Sequence, residues 1–186
     1  LRARVPELAS LRDNSHTQHS ALSTQHSALP MTIRPATNAD ADEVRALVFG
    51  VLAEYGLSPD PDGTDADLAD LEASYGARGG AFDVVEDEGR IVGSVGLYAL
   101  EGGVCELRKM YLARETRGQG LGKRVLEHAL DRARALGFRR VELETASVLV
   151  EAIGLYTRYG FSPVDPAHLS PRCNRAFALD LESPRA

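Results

Sequence analysis

The chain has 186 residues, of which 44% are hydrophobic and 26% are charged, values typical of one globular domain with a buried core. Its net charge of −6 argues against a general nucleic-acid binder, because contacts to phosphate dominate that affinity. No apolar run approaches the roughly 18 residues that a membrane span needs, and the first residues lack the apolar segment of a secretory signal. We therefore expect a cytoplasmic domain without a membrane or nucleic-acid partner.

The two cysteines, Cys105 and Cys173, are too few and too poorly spaced for a disulfide framework or a zinc site. We expect both to be reduced thiols, with Cys105 in the core, and we expect no metal ion to take part in the chemistry.

Residues 1–30 differ in composition from the rest. The stretch "QHSALSTQHSAL" at residues 18–29 repeats a seven-residue unit almost letter for letter and contains two histidines. A metal-binding tail is one interpretation, but serine, threonine and glutamine spacers without acidic or cysteine partners favour a disordered extension. We therefore assign residues 1–30 to a low-complexity extension, with Met31 a candidate for the natural start, and residues 31–186 to the folded domain.

The domain begins with a predicted strand, "MTIRPAT", followed by Asn38 as the cap of a helix over "ADADEVRALVFGVLAEYG". After a loop, "DADLADLEASYG" predicts a second, acidic helix. Its carboxylates could attract a cationic substrate, but the pattern favours a solvated helix face. Acidic residues at the start of such a helix also stabilise it through the helix dipole.

The segment at residues 81–112 predicts three strands joined by tight turns at residues 87–89 and 102–103. A long amphipathic helix follows over "LGKRVLEHALDRARALGF", with one apolar stripe. A strand at "VELET", a helix at "LVEAIGLYTRYGF" and a strand at "RAFALDL" complete the chain. This order predicts an α/β (α+β) fold in which a mixed central sheet of about seven strands is flanked by about four helices.

The stretch "ETRGQGLGKR" at residues 115–124 joins a predicted strand to the start of the long helix. Backbone amides at such a junction lack intrahelical partners and lie at the positive end of the helix dipole, which favours an anion. A simple tight turn is the alternative. The stretch does not match a nucleotide triphosphate loop, because Arg117 stands where that motif has its first glycine and Arg124 stands where it has a serine or threonine. A dinucleotide fingerprint is weak, because its third glycine falls on Lys123.

The loop has the pattern R-x-x-G-x-G, is preceded by "ELRKMYL" and is followed about thirty residues later by "AIGLYTRYGF". Together these segments resemble the GNAT superfamily of acyl-CoA-dependent N-acetyltransferases, over about Met31 to Leu181. The resemblance implies that acetyl-CoA is a co-substrate, with its pyrophosphate on the loop amides and its pantetheine arm along the preceding strand. The cofactor-binding residues it implies are Met110, Leu112, Arg117, Gly118, Gln119, Gly120, Leu121 and Gly122.

Acetylation of an amine requires a proton to leave the nitrogen. An amine of pKa about 10.4 is neutral in roughly one molecule of 2,500 at pH 7, a cost of about 4.6 kcal/mol. A base is therefore useful, and Glu106, early in the cofactor strand, is the candidate, with an ordinary sheet-surface carboxylate as the alternative. Tyr156 matches the general-acid tyrosine of the family, which would protonate the departing thiolate. A core aromatic residue is the alternative.

One position departs from the family pattern, since many members carry a cofactor-contacting asparagine where this chain has Leu149. We expect a small-molecule amine as the acceptor, with a catalytically silent acyl-CoA sensor or a protein N-acetyltransferase as alternatives. Pairing through edge strands into a homodimer is common among relatives. Tyr55, Arg108, Arg172 and Asn174 could meet the acceptor, although surface or structural roles are favoured for each.

Overall fold

The computed structural model describes residues 31–165 and 169–181, so the predicted extension at residues 1–30 lies outside the described residues. The strands are β1 (Thr32–Pro35), β2 (Ala81–Asp87), β3 (Arg90–Ala99), β4 (Val104–Leu112), β5 (Arg140–Thr145), β6 (Ser162–Pro163) and β7 (Arg175–Asp180). The α-helices are α1 (Ala41–Glu54), α2 (Leu71–Ser74), α3 (Leu121–Ala135) and α4 (Val150–Arg158).

The strands form one seven-stranded sheet in the order β1-β2-β3-β4-β5-β7-β6. Neighbouring strands pair antiparallel, except that β4 and β5 run parallel. Helix α3 is the crossover that this parallel pair requires. The predicted fold class, with its mixed sheet of about seven strands and four helices, is confirmed.

The helices cover both faces of the sheet and divide the core in two. Helices α1 and α2 pack on one face, where Tyr75 and Leu52 are buried against Phe82 of β2. Helices α3 and α4 pack on the other, where Leu126 and Tyr156 lie among side chains of the central strands. Cys105 of β4 is fully buried there, as its sequence context predicted, and burial raises the pKa of its thiol to about 12.

The predicted acidic helix is wrong in length, because α2 has only four residues and is flanked by short 3-10 turns. Aspartate side chains in this segment bond backbone amides locally and so compete with a continuous helix. Asp60 accepts from the amide of Thr64 at 2.8 Å, and Asp70 caps α2 by accepting from the amide of Ala73 at 2.9 Å. Asp65 is buried rather than part of a solvated helix face.

Asn38 was predicted to cap the first helix, and this is also wrong. Thr37 and Asp40 form a capping box at the 3-10 turn that leads into α1. The Asn38 amide nitrogen instead donates to Asp70 at 2.9 Å, and its oxygen accepts from the amide of Glu72 at 3.1 Å. Asn38 therefore fastens the start of α1 to α2.

The central strands β4 and β5 separate after a short paired region. Their pairing covers three positions and ends where Glu106 of β4 lies opposite Glu142 of β5. Beyond that point β4 continues along β3 with a bulge, because two steps on β3, from Ser94 to Gly96, face three on β4. Lys109, in the bulge, has a φ of 51°. The strands thus open a wedge in the middle of the sheet.

Gly96 offers a test of this packing. A Cβ there would lie 2.6 Å from Cε1 of Tyr75 and 3.0 Å from Cδ2 of Phe82, so Gly96→Ala must displace core aromatic rings. We expect it to lower the free energy of unfolding by about 1–3 kcal/mol in urea titrations. Gly50→Ala, in α1 with open space around it, should instead be stabilising by up to about 1 kcal/mol. A Gly96→Ala protein as stable as wild type would contradict the packing.

Candidate active site

A cleft of about 660 Å³ occupies the wedge between β4 and β5. Its walls are β4 from Glu106 to Leu112, the glycine loop that precedes α3, the inner side of α4, and parts of the loops after α1 and before β7. The cleft thus brings together most of the predicted site residues: Glu106, Met110, Leu112, Arg117, Gly118, Gly120, Gly122 and Tyr156 line it.

The glycine loop presents a run of backbone amides to the cleft. None of the amides of residues 118–123 donates to an acceptor within the described residues. Gly118 and Gly120 have φ angles of 74° and 81°, a region that other residues rarely adopt. Helix α3 begins directly after Gly120, without a side-chain cap. These amides therefore form a concentrated set of donors at the positive end of the helix dipole.

The loop is held in place by its non-glycine residues. The side chain of Leu121 is buried in the core, so this residue can offer a ligand only its backbone. The Gln119 amide nitrogen donates to the carbonyl oxygen of Glu115 at 2.9 Å, which closes the loop on itself. The side chains of Leu121 and Gln119, both predicted cofactor residues, are therefore held by contacts within the protein.

Arg117 braces the loop against two other elements. Its Nε donates to the carbonyl oxygen of Leu112 at 2.8 Å, and its Nη1 pairs with Glu54 at the end of α1 at 2.7 Å. Its Nη2 is buried with no partner among the described residues. The guanidinium therefore orients the loop and caps the end of β4. The carbonyl of Leu112 keeps one lone pair for a ligand.

Tyr156 lies on the inner side of α4 and is 6% exposed. Its hydroxyl lies 3.9 Å from the sulfur of Met110, a weak acceptor on β4. Burial raises the pKa of this hydroxyl, and nearby Tyr111 adds to the rise. The phenol is therefore protonated throughout the neutral range, with its oxygen beside the strand that is expected to hold the cofactor.

Glu106 lies at the point where β4 and β5 separate. Its Oε2 pairs with Nη2 of Arg108 at 2.6 Å. The Arg108 guanidinium also lies 4.2 Å from the ring centre of Tyr98 and 3.6 Å from Asp67. The charge of Arg108, which the sequence offered as a residue that could meet the acceptor, is therefore already compensated by two carboxylates of the protein.

The structure also brings charged residues to the cleft that the sequence did not single out. Lys109 of the β4 bulge is 7% exposed and pairs with Asp65 at 2.7 Å. Glu144 of β5 lines the cleft and accepts from the amide and hydroxyl of Ser170 at 2.9 and 2.7 Å. A lysine inside a strand pattern gives no sign of burial, and only the tertiary contact reveals it.

The remaining candidates have mixed roles. Tyr55 and Arg172 line the cleft, but Arg172 forms a two-bond pair with Asp65. Asn174, which precedes β7, bonds Ser147 through both ends of its amide and so joins the loop before β7 to the loop after β5. Leu149, the residue noted as a departure from the family pattern, lines the cleft and precedes α4.

Comparisons with known proteins agree with this geometry. The acetyltransferase (GNAT) family profile matches residues 48–161. The uncharacterized N-acetyltransferase YjgM of Escherichia coli is 41% identical over 140 residues, 73% of this chain and 84% of that protein. A GNAT acetyltransferase structure from Staphylococcus aureus matches with a TM-score of 0.77 and 22% identity, covering 82% of this chain and 99% of that chain.

A structure of YncA from Salmonella typhimurium with its cofactor acetyl-CoA also has this fold, with a TM-score of 0.65 and 21% identity over 84% of this chain and 96% of that chain. The chain therefore belongs to the acetyltransferase (GNAT) family, and its class is that of an acetyl-CoA-dependent acyltransferase. In the part of the chain that the structure describes, no helix is long and apolar enough to cross a membrane.

Proposed function

We propose that this enzyme transfers the acetyl group of acetyl-CoA to the primary amine of a small or amino-acid-like molecule by direct attack. The amine nitrogen bonds to the thioester carbonyl carbon, and the C–S bond breaks to release the coenzyme A thiolate. The observation that carries the proposal is the run of loop amides at residues 118–123, which have no acceptor among the described residues and border a cleft of about 660 Å³.

The loop amides suit the pyrophosphate of acetyl-CoA, because backbone donors at a helix N-terminus bind phosphate well. Arg114, Lys123 and Arg158 also line the cleft and add positive charge for the phosphates. The edge of β4 at Met110 and Leu112, which β5 leaves unpaired, suits the amide groups of the pantetheine arm. A cofactor bound in this way directs its thioester toward Tyr156.

Tyr156 acts in this proposal as the general acid, giving its proton to the thiolate as the C–S bond breaks. Its buried, protonated phenol supports that role, as does the apolar surrounding that leaves the hydroxyl without a strong partner. Glu106 acts as the base that receives the proton of the amine, directly or through a water. One of its oxygens is held by Arg108, which fixes the carboxylate and leaves Oε1 to accept.

Cofactor binding can be tested at Gly122. A Cβ there would make ordinary contacts of 3.6 Å with Leu112 and 3.7 Å with Leu155, so the fold tolerates a side chain, but the methyl groups of valine would enter the cleft. We expect Gly122→Val to weaken acetyl-CoA binding by about tenfold or more, the scale of an overpacking cost, as measured by titration calorimetry.

Gly50→Val in α1 is the matched control, since it places the same side chain in a helix with open space around it. It should bind acetyl-CoA like wild type. If wild type bound no acetyl-CoA, or if both variants bound it equally, the assignment of the cleft would be wrong.

Tyr156→Phe should lower turnover by about 10²-fold while leaving acetyl-CoA affinity nearly unchanged, because only the proton donor is lost. Release of coenzyme A thiol in the presence of pooled amines measures this. Tyr159→Phe is the control, since the Tyr159 hydroxyl bonds Glu127 at 2.7 Å rather than Met110 on β4. An unchanged rate in Tyr156→Phe would remove this residue from the mechanism.

Glu106→Gln should slow the reaction most at neutral pH, where the amine is protonated, and least near pH 10, where it loses its proton without help. The measurement is the pH profile of kcat/KM for an amine that the screen identifies. Glu142→Gln is the matched control, because Glu142 lies opposite Glu106 on β5 and pairs with Arg140. Parallel pH profiles for wild type and Glu106→Gln would argue against Glu106 as the base.

A further inference from the structure

The buried Asp65 carboxylate pairs with two positively charged side chains. Its side chain has no exposed surface, and it accepts four hydrogen bonds. Arg172 donates two of them, at 2.8 and 2.6 Å, Lys109 donates one at 2.7 Å, and the amide of Asp60 donates one at 2.9 Å. Burial raises the pKa of this carboxyl, but these donors outweigh burial, so its pKa is lowered from 3.8 and the group is ionised.

The donors come from parts of the chain that are distant in sequence. Lys109 lies 44 residues away, in the bulge of β4, and Arg172 lies 107 residues away, in the loop before β7. Asp65 itself belongs to the loop after α1. Lys109 also donates to the carbonyl oxygen of Thr64 at 2.8 Å, so the loop backbone is held as well as its side chain. One carboxylate therefore fastens two loops to the central strand.

Burying these charged side chains costs free energy, and a gain in the stability of the fold does not account for the arrangement. Three charged side chains are desolvated, and buried ion pairs of this kind are often no more stabilising than apolar packing. Lys109 also adopts a positive φ of 51°, which is unfavourable for a residue with a side chain. Strained, buried polar groups cluster at functional sites. The cluster of Asp65, Lys109 and Arg172 lies at the candidate active site, because Thr64, Lys109 and Arg172 all line the cleft.

We infer that Asp65 is a positioning residue that locks the loop after α1 and residues 169–174, which precede β7, onto the β4 bulge. The acceptor end of the cleft is thereby preformed and narrow and admits a small amine rather than a peptide. This inference rests on the proposed function for the meaning of the acceptor end. The hydrogen bonds of Asp65 do not depend on catalysis, so their effect on the cleft can be measured without following turnover.

Cys173 is a suitable reporter, because it follows Arg172 in the chain and lines the cleft. The other cysteine of the chain, Cys105, is fully buried. In wild type we expect Cys173 to react faster with the small reagent methyl methanethiosulfonate than with the bulky Ellman reagent. The ratio of the two rate constants is divided by the same ratio measured on glutathione, and the result is the excess ratio. The Ellman reagent is also an anion, so loss of the Arg172 cation would by itself slow its reaction, and a lower excess ratio in an Arg172 variant therefore reports a wider acceptor end.

Arg172→Gln removes the link between the loops but leaves the Asp65–Lys109 pair, so this variant should fold. We expect its Ellman reaction to be about tenfold faster than in wild type, the scale of a local opening that has become easier, and the excess ratio to fall toward one. Arg172→Lys keeps one donor for Asp65 and should give an intermediate ratio. Asp65→Asn should behave like Arg172→Gln if it remains folded.

Asp40→Asn is the matched control for stability. Asp40 also accepts two bonds from one arginine, Arg34, at 2.9 Å each and one from the amide of Thr37 at 2.8 Å, but it lies beside β1 and does not line the cleft. It should lower the melting temperature without changing the labelling ratio of Cys173.

Acetyl-CoA binding, measured by calorimetry in the same variants, separates this inference from the proposed function. Wild-type affinity in Arg172→Gln together with the lost size ratio supports the positioning role. A size ratio in Arg172→Gln equal to that in Asp40→Asn would overturn it, whether or not acetyl-CoA binds. Absence of acetyl-CoA binding in wild type would overturn the proposed function alone.

Discussion

The separation of β4 and β5 beyond Glu106 is the constraint on which the site depends. A strand in the middle of a sheet normally has its backbone groups paired on both sides, and groups left unpaired need another partner. Here β5 turns away after three paired positions, so the remaining edge of β4 faces the cleft. Arg117 bonds one carbonyl of this edge, at Leu112. The rest of the edge is available to a ligand with amide groups of its own.

The two ends of the cleft differ in how their polar and charged groups are paired. At the glycine loop, amide donors that have no acceptor among residues 31–165 and 169–181 border an open space, which suits a multiply charged anion. At the other end, the charges of Lys109, Arg108 and Arg172 are compensated by Asp65, Asp67 and Glu106. This end therefore offers a shaped surface on which the charges of these six residues are paired with one another.

The sequence predicted the fold correctly, and it singled out the glycine loop and β4, which the structure brings to one cleft. Glycines at residues 118, 120 and 122, an amphipathic helix and alternating strands are local patterns, and local patterns are readable in one sequence. The acceptor end was not predictable in the same way. Asp65 was assigned to a solvated helix face, because its partners Lys109 and Arg172 are 44 and 107 residues away. Charge pairing over such distances leaves no periodic signal.

In the proposed enzyme, the amides of residues 118–123 bind the pyrophosphate of acetyl-CoA. Titration of the ¹⁵N-labelled protein with acetyl-CoA, followed by amide NMR spectra, tests it directly. We expect the largest chemical-shift changes on these six amides, with smaller changes along β4 at Met110 and Leu112. Saturable acetyl-CoA binding that left the loop amides unchanged, or no binding at all, would contradict this assignment.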